Sequence, residues 1–600
     1  MKRKCIWLIL SCLLALTLLL ASCGTKTTET TTSTTTTTKQ TTAITTKTTT
    51  AVTTAPTTSA QLPTYGNEIV IRTRVNVDHF DSYYYGTAWA GDMVQSFYAE
   101  SLGTINWALD RNIWNFQTRV RPTEYRAGLL AESYEQPDLA TVIFHLHKGI
   151  SYQDKSPVNG REFTSDDVVY HYNRQLGLGS GFTAKSPYRT HEQYTPIVSV
   201  TANDKYTVTF KYKTPSIDML DNLLDDFGFA NIICKEVVQK YGDMEDWHNA
   251  VGTGPYFLTD YVSGSSVTLV KNPNYWGHDE RYPQNQLPYM DKVRILIIPD
   301  DQTALSGLRT AKIDLTGTYG DELDWVQVKG LKASNPEIMQ VARPATGVGL
   351  DFRVDKTPFT DIRVRKAMQM AVNLDEIAAS YYGGTIDGTP YGQLGPAHKG
   401  YFTPFAQWPA EIKAGYAYNP EGAKKLLAEA GYPSGFKTNI VLATTAEMDL
   451  FEIAKDYLLK IGVDMEIRTM DPTALTAFTR AGKHDQLVAG VPGGVDPPRI
   501  CLNRRYTGHA TNLSYNNDKA YDAIVDQYYV ATDAATAKKV INQADDYAIA
   551  KQWRVVLAGT QVRYSVFQPW VKGYSGEYYN TAVHWARIWI NSDLKKSMGH

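Results

Sequence analysis

The chain has 600 residues, 43% hydrophobic and 20% charged, with a formal net charge of -2. That near-neutral balance leaves no electrostatic footprint for nucleic acid. About 540 residues remain beyond the first 60, enough to bury several cores, and length alone suggests three or four domains.

Lys2, Arg3 and Lys4 form a positive start, and an apolar run follows from Ile6 to Leu20. That run matches a secretory h-region and falls short of the ~20 residues needed to span a bilayer. Leu20-Ala21-Ser22-Cys23 resembles the lipobox of bacterial lipoproteins. The resemblance implies that residues 1–22 are a signal peptide, cut just before Cys23, and that the Cys23 thiol carries lipid. The alternatives are an ordinary signal peptide with a chance cysteine, or an uncleaved anchor.

Residues 23–65 are dominated by threonine and hold little apolar content, so they read as a flexible tether. Such a coil spans on the order of 30 Å, and its hydroxyls could carry sugars. No later segment is long and apolar enough to cross a membrane. Of the five cysteines, only Cys234 and Cys501 lie beyond the tether, and they read as two buried free thiols rather than a disulfide. The 39 tyrosines and 12 tryptophans suit core packing, and also stacking surfaces.

In chain order, "FHLHKG" places His145 and His147 on one strand face, but two ligands do not complete a metal site, and none is assigned. "GLGSG" at 177–181 and "GTGPY" at 252–256 lack the strand–helix context and the Lys-Ser/Thr of a phosphate loop. Gly252 and Gly254 read instead as a turn before a strand at 256–260. "YTVTFKY" at 206–212 alternates as a half-buried strand. "DIRVRKAMQMAV" sets Val364, Ala367, Met368 and Ala371 on one packed helical face. "YNPEGAKKLLAEAGYP" at 418–433 is a helix capped by Asn419, with Pro420 in its first turn and Gly431 at its left-handed exit. A strand at 438–443, a helix around 447–461 and a strand at 463–469 follow, an order that favours a parallel sheet with right-handed crossovers. No Ser/His/Asp set, nucleophile elbow or His-Glu-x-x-His helix appears, which argues against an enzyme.

Several of these segments carry a resemblance: "LLAESYE" (129–135), "FHLHKGISYQDKSPVNGREFTSDDVVYHYNR" (144–174) and "GTGPYFLTDYVSGSSVTLVKNPNYWG" (252–277). So do "PDDQTALSGLRTAKIDL" (299–315), "PFTDIRVRKAMQMAVNLDEI" (358–377) and the 418–433 helix. Over nearly all of 66–600 the chain resembles family 5 of the solute-binding proteins, the oligopeptide-, dipeptide- and nickel-binding receptors of ABC importers.

The resemblance implies an α/β, two-lobed periplasmic-binding-protein type II fold with an extra domain on the first lobe. Lobe I would comprise 66–100, 226–345 and 558–600, the extra domain 101–225, and lobe II 346–557. The hinge would be two crossings, near 345 and 558, with ligand held between the lobes. The implied role is an extracytoplasmic, lipid-anchored, monomeric receptor that needs no cofactor. It captures a small solute, a peptide by default, and delivers it to a membrane permease driven by an ATPase. An oligosaccharide receptor of the same fold is the alternative within the class, and a secreted hydrolase or a surface adhesin are those outside it.

Two stretches supply candidate ligand contacts. "VNVDHFDSYYYGTAWAG" (75–91) follows the first strand, and ligands bind at the carboxyl ends of strands, so Tyr84, Tyr85 and Trp89 are stacking candidates. In "LVAGVPGGVDPPRICLN" (487–503) the family's peptide receptors carry an acid that holds the peptide ammonium. Aligned on Pro497, Gly493 stands where that acid belongs. Asp496 is the nearest carboxylate, expected to cap the turn at Pro497 and Pro498, or else to replace the missing acid.

Overall fold

In a computed structural model the residues described are 61–84, 89–179, 181–182, 184–186, 196–224, 230–318, 320–578 and 581–600. All lie within one unit, Ala43–His600. Ten strands form its main sheet. Their order is Val463–Met470, Phe436–Ala443, Leu487–Gly490, Met339–Phe352, Val555–Phe567, Leu315–Thr316, Glu68–Thr73, Lys292–Ile297, Ser266–Lys271 and Tyr256–Val262.

At the centre, Met339–Phe352 and Val555–Phe567 run antiparallel, from Met339 opposite Phe567 to Leu350 opposite Val555. One end of this pair borders Leu315–Thr316 and the other borders Leu487–Gly490. The register shifts between Val348 and Gly349, where the Leu487–Gly490 strand begins to pair. A bulge there bends and twists the ladder locally.

Each half of the sheet has its own core. Ile69, Ile71, Val293 and Ile295 share one core with Val142, Phe144, Val208 and Phe210. The last four belong to a separate antiparallel sheet ordered Ala131–Asp138, Thr141–Leu146, Thr207–Tyr212, Ile197–Asp204. In the other half Leu350, Phe352, Ile440, Leu442, Val463 and Val555 pack together. A smaller core joins Leu394, Cys501 and Leu502 to Tyr521, Val525 and Ile541. Each buried side chain of this size contributes roughly 1.5–3 kcal/mol relative to exposure, so each half has its own driving force to fold.

Local chemistry explains the elements. Asn419 accepts from the Gly422 amide at 2.8 Å to start Pro420–Glu429, and Gly431 beyond its end has φ +96°. Val364, Ala367, Met368 and Ala371 are buried on and just after Ile362–Met370. Phe436–Ala443 and Val463–Met470 pair in parallel, joined by Met448–Leu459, whose Leu450, Phe451, Ala454 and Leu458 face the core. Thr207–Tyr212 buries Val208, Phe210 and Tyr212 in alternation. A Cβ on Gly252 would lie 2.0 Å from the Tyr98 carbonyl oxygen, so this turn needs glycine for close approach and not for phosphate. Cys234 and Cys501 are both free and buried.

Candidate functional site

The loop after Glu68–Thr73 is pinned by buried charge. Arg174 donates to both Asp81 carboxylate oxygens, at 2.8 and 2.9 Å, and the Met244 amide donates to the same group at 3.0 Å. The Tyr98 hydroxyl donates to the Phe80 carbonyl at 2.7 Å. His79 lies 2.6 Å from Asp78 and 3.4 Å from Asp92. Burial opposes its charge, but the two carboxylates override it and lift its pKa to about 10. These contacts hold both ends of the stretch that carries the aromatic candidates. Tyr84 ends the turn Ser82–Tyr84, and Trp89 opens the helix Trp89–Tyr98. Tyr85 and Cys23 lie outside the described residues.

Beside the central strands, four backbone segments meet with no room for side chains. A Cβ on Gly347 would sit 2.2 Å from the Ala558 oxygen, and one on Gly559 2.1 Å from the Thr389 oxygen. Gly493 has φ +55°, and its Cβ would meet the Gly559 oxygen at 2.1 Å. Its amide donates to the Gly392 carbonyl at 3.0 Å, and the Gly347 amide donates to Pro492 at 2.9 Å. Gly493 is therefore a packing position, and a carboxylate cannot be placed there without moving the backbone.

Asp496 does not cap the turn. The helix Pro498–Asn503 starts at Pro497 with no side-chain cap. The Asp496 carboxylate instead lies 2.6 Å from Arg504 and 3.3 Å from Arg119. Burial alone would raise its pKa, but the two guanidiniums outweigh this and hold it below the usual carboxylate range. The Asp496 carbonyl accepts from His398 Nε2 at 2.5 Å and the Cys501 thiol lies 3.5 Å away. Burial pushes His398 down to about 4, so this ring is neutral and Nε2 carries the proton.

Arg119 comes from a part of the chain 377 residues away from Asp496. Around it Val120 packs on Ala397 and Val495, with Trp114 and Tyr578 at the margin. A second charge contact joins the same two regions. Asp218 lies 3.1 Å from Arg499 and accepts from the Tyr528 hydroxyl at 2.5 Å. Residues 119–218 and 397–528 thus meet through two charged contacts and an apolar patch. The sequence reading missed Arg119, Asp218, Arg499 and Tyr528. The run of Arg499, Arg504 and Arg505 after Asp496 was the only local signal.

His145 and His147 part company. His145 lies 2.9 Å from Glu135, and the His147 ring packs 5.3 Å from Trp276. Among the described residues no group of three His, Cys, Asp or Glu could hold a metal, and no helix is long and apolar enough to cross a membrane.

Residues 127–513 match the family described as bacterial extracellular solute-binding proteins, family 5 Middle. The chain is 26% identical to heme-binding protein A of Haemophilus influenzae, over 76% of this chain and 84% of that one. It is 28% identical to the dipeptide-binding protein of Escherichia coli, over 63% and 70% respectively. Among solved structures, the periplasmic binding protein DppA of Helicobacter pylori, in complex with the peptide STSA, aligns with a TM-score of 0.69 at 23% identity. That alignment covers 88% of this chain and 98% of that one. The oligopeptide-binding protein AppA of Bacillus subtilis, in complex with a nonapeptide, aligns with a TM-score of 0.65 at 18% identity, over 88% and 100%. Both solved structures share the fold seen here, and the profile match spans well over half the sequence. The chain belongs to family 5 of the bacterial extracellular solute-binding proteins.

Proposed function

We propose that this protein is the extracytoplasmic receptor of an ABC importer and that it captures a peptide between two hinged lobes. Lobe I is 66–100, 226–345 and 558–600, with an extra domain at 101–225, and lobe II is 346–557. The observation that carries the reading is the crossing itself. Two long antiparallel strands link the halves, and Gly347, Gly493 and Gly559 lie backbone to backbone at their midpoint. Bending there moves two preformed cores without breaking either, which is what hinge closure requires.

The ligand is a peptide because relatives over most of the chain are named for dipeptides and oligopeptides. Capture that tolerates varied sequences uses backbone hydrogen bonds and wet side-chain pockets. Tyr84, Tyr85 and Trp89 stack on the ligand from the first lobe, and the 491–496 loop closes from the second. Cys23 carries the lipid, residues 23–65 form the tether, and the monomer hands its ligand to a permease and its ATPase. The protein binds and does not catalyse.

Native mass spectrometry of the purified protein tests this reading. A family of co-purifying masses that denaturation resolves into short peptides is the expected result. A homogeneous saccharide in their place would overturn the peptide assignment.

A further inference from the structure

A groove of about 600 Å³ opens on lobe I, lined by Glu68, Arg294, Lys312, Asp314, Lys595 and Lys596 among others. Its two carboxylates are already engaged. Glu68 lies 2.9 Å from Arg294 and 3.6 Å from Lys292. Asp314 accepts from the Val70 amide and from Trp570 Nε1, both at 2.8 Å, and lies 3.5 Å from Lys595. Lys312 and Lys596 are exposed and have no carboxylate partner within ion-pair distance among the described residues. The groove therefore presents uncompensated positive charge in a concave, partly polar setting, which suits an anionic head group.

Its place in the chain says which one. Asn67 lines it and donates to Ser592 at 2.9 Å, and the residues just before are tied to the same C-terminal segment: Asn591 donates to Gln61 at 2.7 Å and Thr64 to the Ile590 carbonyl at 3.0 Å. Gln61 and Thr64 are among the last residues of the 23–65 tether and Asn67 follows it, so the groove sits at the root of the segment that leads to the lipid. We propose that it docks on the phosphates of anionic lipids in the membrane to which Cys23 is anchored. This rests on the reading of Cys23 as the anchor.

The groove needs little affinity of its own. The anchor makes docking intramolecular, with an effective concentration set by the tether, so weak contacts become occupied. Each lysine near an anionic surface contributes about fivefold in partition, and the effect fades within a Debye length. Glu68, Val70, Arg294 and Leu296 line the groove, which therefore runs along one face of the paired strands Glu68–Thr73 and Lys292–Ile297.

The test uses the mature chain, 23–600, without acyl groups. It is sedimented with vesicles of phosphatidylglycerol and phosphatidylcholine, and with phosphatidylcholine alone. Binding to the anionic vesicles only, lost at high salt, is expected. Lys312→Gln with Lys596→Gln should lower partition by about 25-fold, while Lys437→Gln with Lys460→Gln, on the other half of the molecule, leaves it unchanged. Equal partition of the two double variants would overturn the proposal. So would a thermal shift with inorganic phosphate and no vesicle binding, which would make the groove a site for small anions. Whether Cys23 is acylated is read separately, from the mass of the N-terminal peptide, so failure of the anchor and failure of the groove are distinct results.

Discussion

Gly493 is held at φ +55° with its missing Cβ aimed at a carbonyl 2.1 Å away. Replacing it with alanine forces the 491–496 loop off the Val555–Phe567 strand, at a cost of about 1–3 kcal/mol for the strained backbone alone. Denaturant unfolding should show that loss for Gly493→Ala, and Gly493→Asp should lose at least as much without gaining preference for a peptide ammonium. Stability equal to wild type would mean that the crossing is looser than described. Asp545 poses a different problem. Burial raises its pKa to about 7, although the Gln393 and Leu394 amides both donate to it. An unfolded aspartate releases its proton near 3.9, so between about 4 and 7 the native state holds a proton that the unfolded state has lost. Stability from this group therefore falls as pH rises through that window, by on the order of 4 kcal/mol in full. Asp545→Asn keeps an acceptor and cannot ionise. Its melting temperature should exceed that of wild type at pH 8, and the gap should close toward pH 4.

At the scale of elements, residues 119–218 are joined to 397–528 by two ion pairs and an apolar patch. Both ion pairs keep some solvent exposure, so each contributes modestly, on the order of 1 kcal/mol. If they form on closure, Arg119→Gln or Asp218→Asn should weaken peptide binding about fivefold each, with the salt dependence of affinity reduced. Calorimetry checks this; unchanged affinity in both variants would place the pairs outside the closing motion. The contrast with the helices shows what a sequence carries. Asn419, Pro420 and Gly431 act within one or two turns, so the Pro420–Glu429 helix was readable from its own residues. The alternation of Thr207–Tyr212 and the parallel pair around Met448–Leu459 were readable for the same reason. The turn-cap reading of Asp496 failed because its partner Arg119 is 377 residues away, and of its charge partners only the nearby Arg504 was visible locally. Gly493 likewise reads as an absent acid until the Gly559 backbone is seen against it.

In the whole molecule a ten-stranded sheet is divided by the close-packed glycines, with a separate core on each half. The buried free cysteines fit an exported body held by packing rather than disulfides. The central claim is that the halves move about the crossing and close on a peptide. Small-angle scattering on protein unfolded and refolded to strip bound ligand, with and without added peptide, tests it most directly. The radius of gyration should fall on addition of a peptide that also raises the melting temperature by mass action. A peptide that stabilises the stripped protein while leaving its radius of gyration unchanged would contradict closure about the crossing.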